Sequence, residues 1–276
     1  MAPVAKRLEG KVAIITGGAR GIGAAAAKLF HQHGANVIIA DVQDELGISL
    51  CKSLTNKNID YLHCDVTSEQ DVKNAVDFAV SKYGHLDIMF NNAGISGEPI
   101  KRPLEVSTAE DFKRVLEVNA FGAFLGAKHA ARVMVEAQRG GVILFTSSIC
   151  SVIGGHSKPA YTASKHAVVG LMKDLCVELG QHGIRVNCIA PGGVATKMMN
   201  DWMKMEREGT EAMLRSIEVL KGSVIKEEDV AEAAVFLSSD EGRFISGVNL
   251  VVDGGYSSTN AASAMTLKAL KNKDKI

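Results

Sequence analysis

Tyr161 and Lys165 stand four residues apart in the stretch Ala160-Tyr161-Thr162-Ala163-Ser164-Lys165. On a helix that spacing puts the two side chains one turn apart on one face, so an ammonium can sit beside a phenol. The chemistry this suggests is that of a tyrosine made acidic. An unperturbed phenol titrates near ~10, and bringing it to about 7 takes roughly 4 kcal/mol of extra stabilisation of the phenolate. A fixed cation in a partly dry site can supply much of that. By itself the pair fits an ordinary helix-surface contact better, so its meaning depends on the elements that would position it.

The first such element is the run Lys11 to Thr16, short and rich in β-branched residues, which has the pattern of a strand buried on both faces of a parallel sheet. It enters Thr16-Gly17-Gly18-Ala19-Arg20-Gly21-Ile22-Gly23, and helix formers follow from Ala24 to Phe30. Gly17 can make the tight exit from the strand, Gly21 lets the backbone approach a pyrophosphate, and Gly23 lets the helix pack on the strand. Free N–H groups and the positive end of the helix dipole would then face the phosphates, as in a dinucleotide site. The spacing, Gly-x-x-x-Gly-x-Gly, differs from the commoner G-x-G-x-x-G. The next strand, Asn36 to Ala40, ends in Asp41, eighteen residues past Gly23. A carboxylate there accepts hydrogen bonds from ribose hydroxyls and repels a 2′-phosphate, which favours NAD over NADP. Neutral Val42 follows where a phosphate reader would stand, whereas Arg20 in the glycine loop is the residue that would favour NADP.

Further elements continue the alternation. A helix is expected over Asp44 to Leu54 and a strand over Ile59 to Cys64, ending at Asp65, which would meet the adenine amino group or cap a turn. Thr67-Ser68-Glu69-Gln70 and Ser107-Thr108-Ala109-Glu110 both have capping-box spacing, the second opening a helix expected to run to about Gln138. Within that helix Asn119 stands among apolar residues, as a structural lock or part of a polar site. Ala120, Gly122, Ala123, Gly126 and Ala127 leave one side of it thin, suited to close packing on a partner helix, for example from another subunit. Strand four, Leu86 to Phe90, runs into Asn91-Asn92-Ala93-Gly94, residues placed to border a ligand crevice. Strand five, Gly141 to Thr146, leads to Ser147-Ser148 and then to the Tyr161 helix. After strand six, Ile184 to Ala190, and Pro191-Gly192-Gly193-Val194-Ala195-Thr196, come Met198, Met199, Trp202, Met203 and Met205. These flexible apolar side chains suit a lid on a loop over an apolar substrate, or else a packing helix. A last helix, Val230 to Leu237, and a seventh strand, Val248 to Val252, complete one doubly wound α/β domain over residues 1–256. The polar, finally basic residues 257–276 read as a flexible tail.

Composition narrows the partners. The 276 residues are 46% hydrophobic and carry 31 basic and 31 acidic side chains. That balance gives no electrostatic footprint for nucleic acid or an anionic membrane, and points to a small-molecule partner. No apolar run approaches the ~20 residues of a membrane span, and the start lacks a signal-peptide core, so the default compartment is the cytoplasm. The five cysteines form no C-x-x-C pair and read as buried free thiols. The eight histidines show no metal-ligand spacing, and His31 and His33 at a helix end read as solvated.

Taken together, Thr16-Gly17-x-x-x-Gly21-Ile22-Gly23, Asn91-Asn92-Ala93-Gly94, Asn119, Ser148, Tyr161-x-x-x-Lys165 and Pro191-Gly192 resemble the short-chain dehydrogenase/reductase family over Leu8 to Gly255. The openings Leu8 to Gly18 and Ala40 to Gly47 are similar to plant alcohol dehydrogenases of specialised metabolism. The resemblance implies a Rossmann-type seven-stranded parallel sheet of order 3-2-1-4-5-6-7 with helices on both faces, and a homotetramer built on the two long helices. It implies NAD-dependent oxidation of a secondary alcohol, of terpenoid type, to a ketone. A tetrad of Asn119, Ser148, Tyr161 and Lys165 is implied with it. Ser147, Ser148 and Ser151 lie close together, and the family's spacing of thirteen residues before the tyrosine selects Ser148. Tyr161 would take the hydroxyl proton and Ser148 would orient the substrate oxygen. Lys165 would reach the nicotinamide ribose, Asn119 would hold a relay water, and Val194 and Thr196 would fix the carboxamide. Implied cofactor contacts extend to Asp65, Val66, Asn92, Ala93, Gly94, Pro191 and Gly192. The rival readings are an NADPH-dependent ketone reductase and a non-catalytic NAD-binding protein, which would need no tetrad.

Overall fold

Short β-branched runs bounded by glycine and polar residues become the strands β1 (Val12–Thr16), β2 (Asn36–Asp41), β3 (Ile59–His63), β4 (Ile88–Asn91), β5 (Gly141–Thr146), β6 (Ile184–Pro191) and β7 (Asn249–Val252). The computed structural model describes residues 6–54, 58–98 and 108–258. All seven strands pair in parallel in the order β3-β2-β1-β4-β5-β6-β7, as expected. Because side chains alternate across a strand, each strand feeds two cores. Ala13, Ile15, Val37, Ile39, Phe90 and Leu144 pack with α1 (Gly21–Gln32) and α9 (Glu227–Ser238). Ile14, Ile38, Met89, Ile143, Phe145 and Val186 face α3 (Glu69–Tyr83), α5 (Gly122–Ala137) and α6 (Pro159–Glu178). Both faces being covered explains why the strands are continuous apolar runs. Helix α2 (Asp44–Ser53) follows β2. Among the described residues no helix is long and apolar enough to cross a membrane.

Several local expectations shift. The two caps are Ser68, whose hydroxyl accepts from Asp71 N, and Thr108, which accepts from Asp111 N, each one residue later than the capping-box spacing indicated. The carboxylates at the third helical position turn away from the cap. Asp71 accepts from Asp65 N (3.1 Å), and Asp111 accepts from Glu98 N (3.2 and 3.3 Å), so each acid ties the helix start to a loop at the carboxyl end of the sheet. The long helix is not uniform either. It runs as α4 (Ala109–Leu116), a π-helical turn (Glu117–Phe121) and α5. The π turn contains Asn119, and such turns re-aim side chains within an otherwise regular helix.

The thin side of α5 packs on the chain's own sheet. A Cβ on Gly126 would lie 1.8 Å from Asn91 Oδ1, and one on Gly122 would lie 2.7 Å from Val66 Cγ2. His33 is buried rather than solvated, because its carbonyl accepts from Leu8 N (3.0 Å) and its ring nitrogen from Arg7 N (3.5 Å), folding the N-terminal segment over it. The five cysteines are free, with Cys64, Cys150 and Cys188 buried and Cys51 and Cys176 partly so. The tail expected over 257–276 lies outside the described residues beyond Ser258.

Candidate active site

The carboxyl ends of the strands open into a cleft of about 900 Å³. It lies across the β1–β4 boundary, where the strand order reverses and open α/β sheets bind their ligands. Gly17, Arg20, Gly21 and Ile22 form one wall, Asp41, Val42, Asp65 and Val66 the far end, and Asn92, Ala93 and Gly94 the floor. Ser148, Tyr161 and Lys165 face this floor, with Pro191, Gly192, Val194 and Thr196 opposite. Of the residues expected to touch cofactor or substrate, Gly23 and Asn119 stand behind the wall and Met205 is exposed outside the cleft.

The glycine loop is shaped by what it must approach. Gly17 (φ 62°) and Gly21 (φ 56°) occupy the left-handed region. Gly23 is buried against the loop's own backbone: a Cβ there would lie 2.1 Å from Gly17 O and 2.6 Å from Asn92 Nδ2. Gly23 therefore acts through packing rather than contact. Gly23→Ala is expected to lose about 1–3 kcal/mol of stability through overpacking, more than alanine's helix propensity returns. It should also weaken dinucleotide binding, read by urea denaturation and fluorescence titration with NADH. Arg20, the N-cap of α1, makes no side-chain capping hydrogen bond. The first N–H groups of α1 consequently lack a side-chain acceptor from the cap and suit a phosphate.

Thr16 and Asn92 brace the floor. The Thr16 hydroxyl accepts from Asn92 N (3.0 Å) and Ala93 N (3.1 Å). The Asn92 amide donates to Thr16 O and Gly17 O, and its oxygen accepts from Thr146 Oγ1 (3.0 Å). At the far end, buried Asp41 accepts from Ala19 N (2.9 Å) through Oδ2, and from Gln43 N and Nε2 (3.0 and 3.1 Å) through Oδ1. The same carboxylate thus borders the cleft and pins the glycine loop. Asp65 Oδ1 accepts from Thr67 N and Oγ1, so of its two expected roles the turn cap is the one its contacts display.

The three serines separate clearly. Ser147 Oγ is engaged with Ile189 O (3.0 Å) and Asn249 Oδ1 (2.7 Å), and Ser151 Oγ donates to Ser148 O (2.6 Å). Ser148 Oγ accepts from Cys150 N (3.2 Å) and is the one of the three serines that pulls the Tyr161 phenol toward ionisation. Pro159 at the first turn of α6 starts the helix whose next turns carry Tyr161, Ser164 and Lys165. Ser164 Oγ donates to Tyr161 O (2.7 Å) and accepts from Asn119 Nδ2 (3.0 Å). Asn119 Nδ2 also donates to Ile95 O (2.9 Å), while its Oδ1 accepts from Ile95 N (2.8 Å). Both amide hydrogens of Asn119 are committed, so it is a lock joining the 95–98 loop to α6.

Lys165 is buried, and its Nζ donates to Thr146 O (2.8 Å). It stands 5.5 Å from the Tyr161 ring centroid. A Cβ on Gly94 would lie 3.5 Å from Nζ and 3.3 Å from Asn119 Oδ1, so the absence of a side chain there keeps the ammonium's remaining donors facing the cleft. The electrostatics depart from the sequence expectation. Burial pushes the Tyr161 phenol well above its ordinary value, Cys150 nearby adds to this, and the Ser148 hydroxyl pulls it partly back. Lys165 does not lower it in this geometry, because burial opposes both charges and pushes the ammonium itself down to about 8.

The methionine-rich segment is helical, forming α7 (Lys197–Met203) and α8 (Arg207–Ile217). Met198, Met199, Trp202, Met203 and Met213 line the cleft, giving it an apolar end. Arg207, at the start of α8, forks onto buried Glu227 (3.0 and 2.9 Å), fixing α8 to α9. Sequence patterning does not single out Thr146, Ser164 or the cleft-lining Cys150, because their roles come from contacts distant in the chain.

The cradle fits a nicotinamide dinucleotide: an α1 start without a side-chain cap, two glycines in the left-handed region, a buried carboxylate at the β2 tip and a side-chain-free Gly94 beside Lys165. The family model described as Enoyl-(Acyl carrier protein) reductase matches residues 17–257. The chain is 56% identical over 274 residues to short chain aldehyde dehydrogenase 1 of Euphorbia lathyris, covering 96% of this chain and 94% of that protein. It is 51% identical to (+)-borneol dehydrogenase 1 of Salvia officinalis, covering 93% and 97%. The solved 3-ketoacyl-(acyl-carrier-protein) reductase from Brucella melitensis, complexed with NADH, superposes with a TM-score of 0.81 at 33% identity, over 91% of this chain and 99% of that one. Sheet order, cleft and relatives agree, and the chain belongs to the short-chain dehydrogenase/reductase family of nicotinamide-dependent oxidoreductases.

Proposed function

We propose that this protein oxidises a secondary alcohol on an apolar, terpenoid-like skeleton to the ketone, with NAD⁺. The observation that carries the proposal is the convergence of Tyr161, Ser148 and Lys165 on one cleft whose other end is lined by methionine and tryptophan. Similarity to a borneol dehydrogenase supports the substrate class. The bound cofactor would supply the hydride acceptor, with Lys165 and the Val194–Thr196 turn beside its nicotinamide end. Tyr161 Oη takes the hydroxyl proton in oxidation and returns it in reduction. Ser148 Oγ donates to the substrate oxygen and stabilises charge developing there. Asn119 and Ser164 hold α6 against the 95–98 loop, keeping Tyr161 in register.

NAD over NADP rests on Asp41, buried at the ribose end beside neutral, exposed Val42, where a 2′-phosphate would meet a carboxylate. Arg20, exposed on the same cleft, favours the rival, an NADPH-dependent ketone reductase. The test is a screen of secondary terpenoid, steroid and lignan alcohols with each oxidised cofactor, followed by NADH or NADPH absorbance. Turnover with NAD⁺ at least about tenfold more efficient than with NADP⁺ is expected, equivalent to ~1.4 kcal/mol of transition-state discrimination. The reverse preference would make Arg20 the deciding residue. Exposed Phe112, Phe121 and Phe124 on the α4–α5 face, the last two stacked at 6.3 Å, support assembly as a homotetramer.

A further inference from the structure

Every acceptor atom of Asp41 is engaged, and two of the donors, Ala19 N and the Tyr61 hydroxyl, come from residues outside the cleft wall. Its carbonyl oxygen accepts from Cys64 N (3.0 Å) and from the Tyr61 hydroxyl (2.6 Å). Tyr61 has one hydrogen to give and shares it with Asp44 Oδ1 (2.5 Å), which also meets His63 Nδ1 (2.8 Å). A single phenol on β3 therefore joins the tip of β2 to the first turn of α2. The ring has a dedicated seat: a Cβ on Gly47 of α2 would lie 2.1 Å from Tyr61 Cδ2, so only glycine lets α2 approach this closely. Between the two anchored points lie Val42 and Gln43. The Gln43 amides set the rotation of the Asp41 carboxylate through Oδ1, and Ala19 N sets it through Oδ2.

We infer that Tyr61 is a positioning residue for cofactor recognition, holding the β2–α2 turn so that Asp41 presents its carboxylate to the ribose in one orientation. The inference rests on the reading of Asp41 as the ribose acceptor. Its chemistry is geometric: a carboxylate held at both oxygens by backbone amides discriminates a diol from a phosphate only while the turn supplying one of those amides stays in place. Loosening the turn frees the carboxylate to rotate and lets a 2′-phosphate be accommodated beside Val42 and Arg20.

The probe is Tyr61→Phe, which keeps the ring on Gly47 and removes only the hydroxyl. Fluorescence titration of the full-length protein with NADH and NADPH, and steady-state kinetics with both oxidised cofactors, give the readouts. NADH should bind about five-fold more weakly, the size of one net hydrogen bond. The KM for NAD⁺ should rise in step, kcat and the KM for the alcohol should stay within about two-fold, and preference for NAD over NADP should narrow. In an Asp41→Ala background the same change should have no further effect on NADH affinity, because the carboxylate being positioned is gone. An equal loss in both backgrounds would mark a merely structural hydroxyl and overturn the inference. If Asp41→Ala weakens NADH while Tyr61→Phe leaves affinity and preference untouched, the inference alone fails. If Asp41→Ala leaves NADH affinity intact, the ribose reading fails and takes the inference with it.

Discussion

Tyr161→Phe is expected to lower kcat by at least about 10³-fold, within the range attributed to a positioned acid–base group, while NADH affinity stays within about two-fold. The ring is retained, so α6 and the wall of the cleft keep their packing, and only the proton-carrying atom is lost. Ser148 would remain to hydrogen-bond the substrate oxygen, and Lys165 Nζ donates to Thr146 O (2.8 Å), so neither replaces the lost phenol as the group that exchanges the proton. The wild-type pH profile follows from the same environment. Burial raises the Tyr161 phenol, so at neutral pH it is held as the acid. Reduction, which needs the protonated phenol, should then be insensitive to pH from 6 to 8. Oxidation needs the phenolate and should accelerate as pH rises over that interval, in the limit about tenfold per unit for a single ionisation below its pKa. A flat initial-rate profile for reduction beside a rising one for oxidation would support this, whereas residual turnover in Tyr161→Phe above a few per cent would remove Tyr161 from its role.

Lys165→Met should separate function from stability. The side chain is 3% exposed, and burial lowers its pKa from 10.5 to about 8. A base whose pKa is depressed on folding makes the native state less stable wherever the unfolded chain carries the charge. Below pH 8 both states hold the proton, and the full penalty applies, roughly 3–4 kcal/mol from the difference between the two values. Between pH 8 and 10.5 the unfolded chain binds more protons than the native one, so the wild type gains stability relative to the variant as pH rises. Methionine fills a similar volume without the charge, though Thr146 O loses its donor at a cost of about 1–3 kcal/mol. The firm prediction is thus the trend: the stability of wild type minus that of Lys165→Met should climb from pH 7 to pH 10, measured by urea denaturation of both proteins. A flat difference would mean that burial does not disfavour this ammonium. Activity should fall on the order of 10²-fold at pH 7, as expected for loss of a charge that assists proton transfer, because the cleft would lose the buried ammonium that faces it beside Tyr161.

Much of this molecule was legible locally. β1, the glycine loop and α1 follow from a β-branched run, glycines at fixed offsets and a run of helix formers, all effects of residues within a few positions of each other. Asp41 could be placed at the tip of β2 because a strand's length fixes where its last side chain emerges. The caps slipped by one residue because Thr67-Ser68 and Ser107-Thr108 each offer two adjacent hydroxyls, and the direction from which the chain enters the helix decides between them. The π turn at Asn119 left no trace in the apolar period, since it shifts the pattern by a single residue.

The side toward which a small-residue stripe turns is likewise not written in its spacing. Gly122 and Gly126 meet Val66, Asn91 and Met89 of the same chain, while phenylalanines occupy the exposed face. Spacing and type determined that Tyr161, Lys165, Ser148 and a dinucleotide loop belong to one protein, because the elements carrying them form from local preference. Only the tertiary structure decided that Asn119 is a lock, that Ser147 Oγ is engaged with Ile189 and Asn249, and that burial rather than Lys165 sets the phenol. Those outcomes depend on desolvation and on hydrogen-bond partners supplied by strands and loops far apart in the chain, and such sums exist only once the sheet has brought them together.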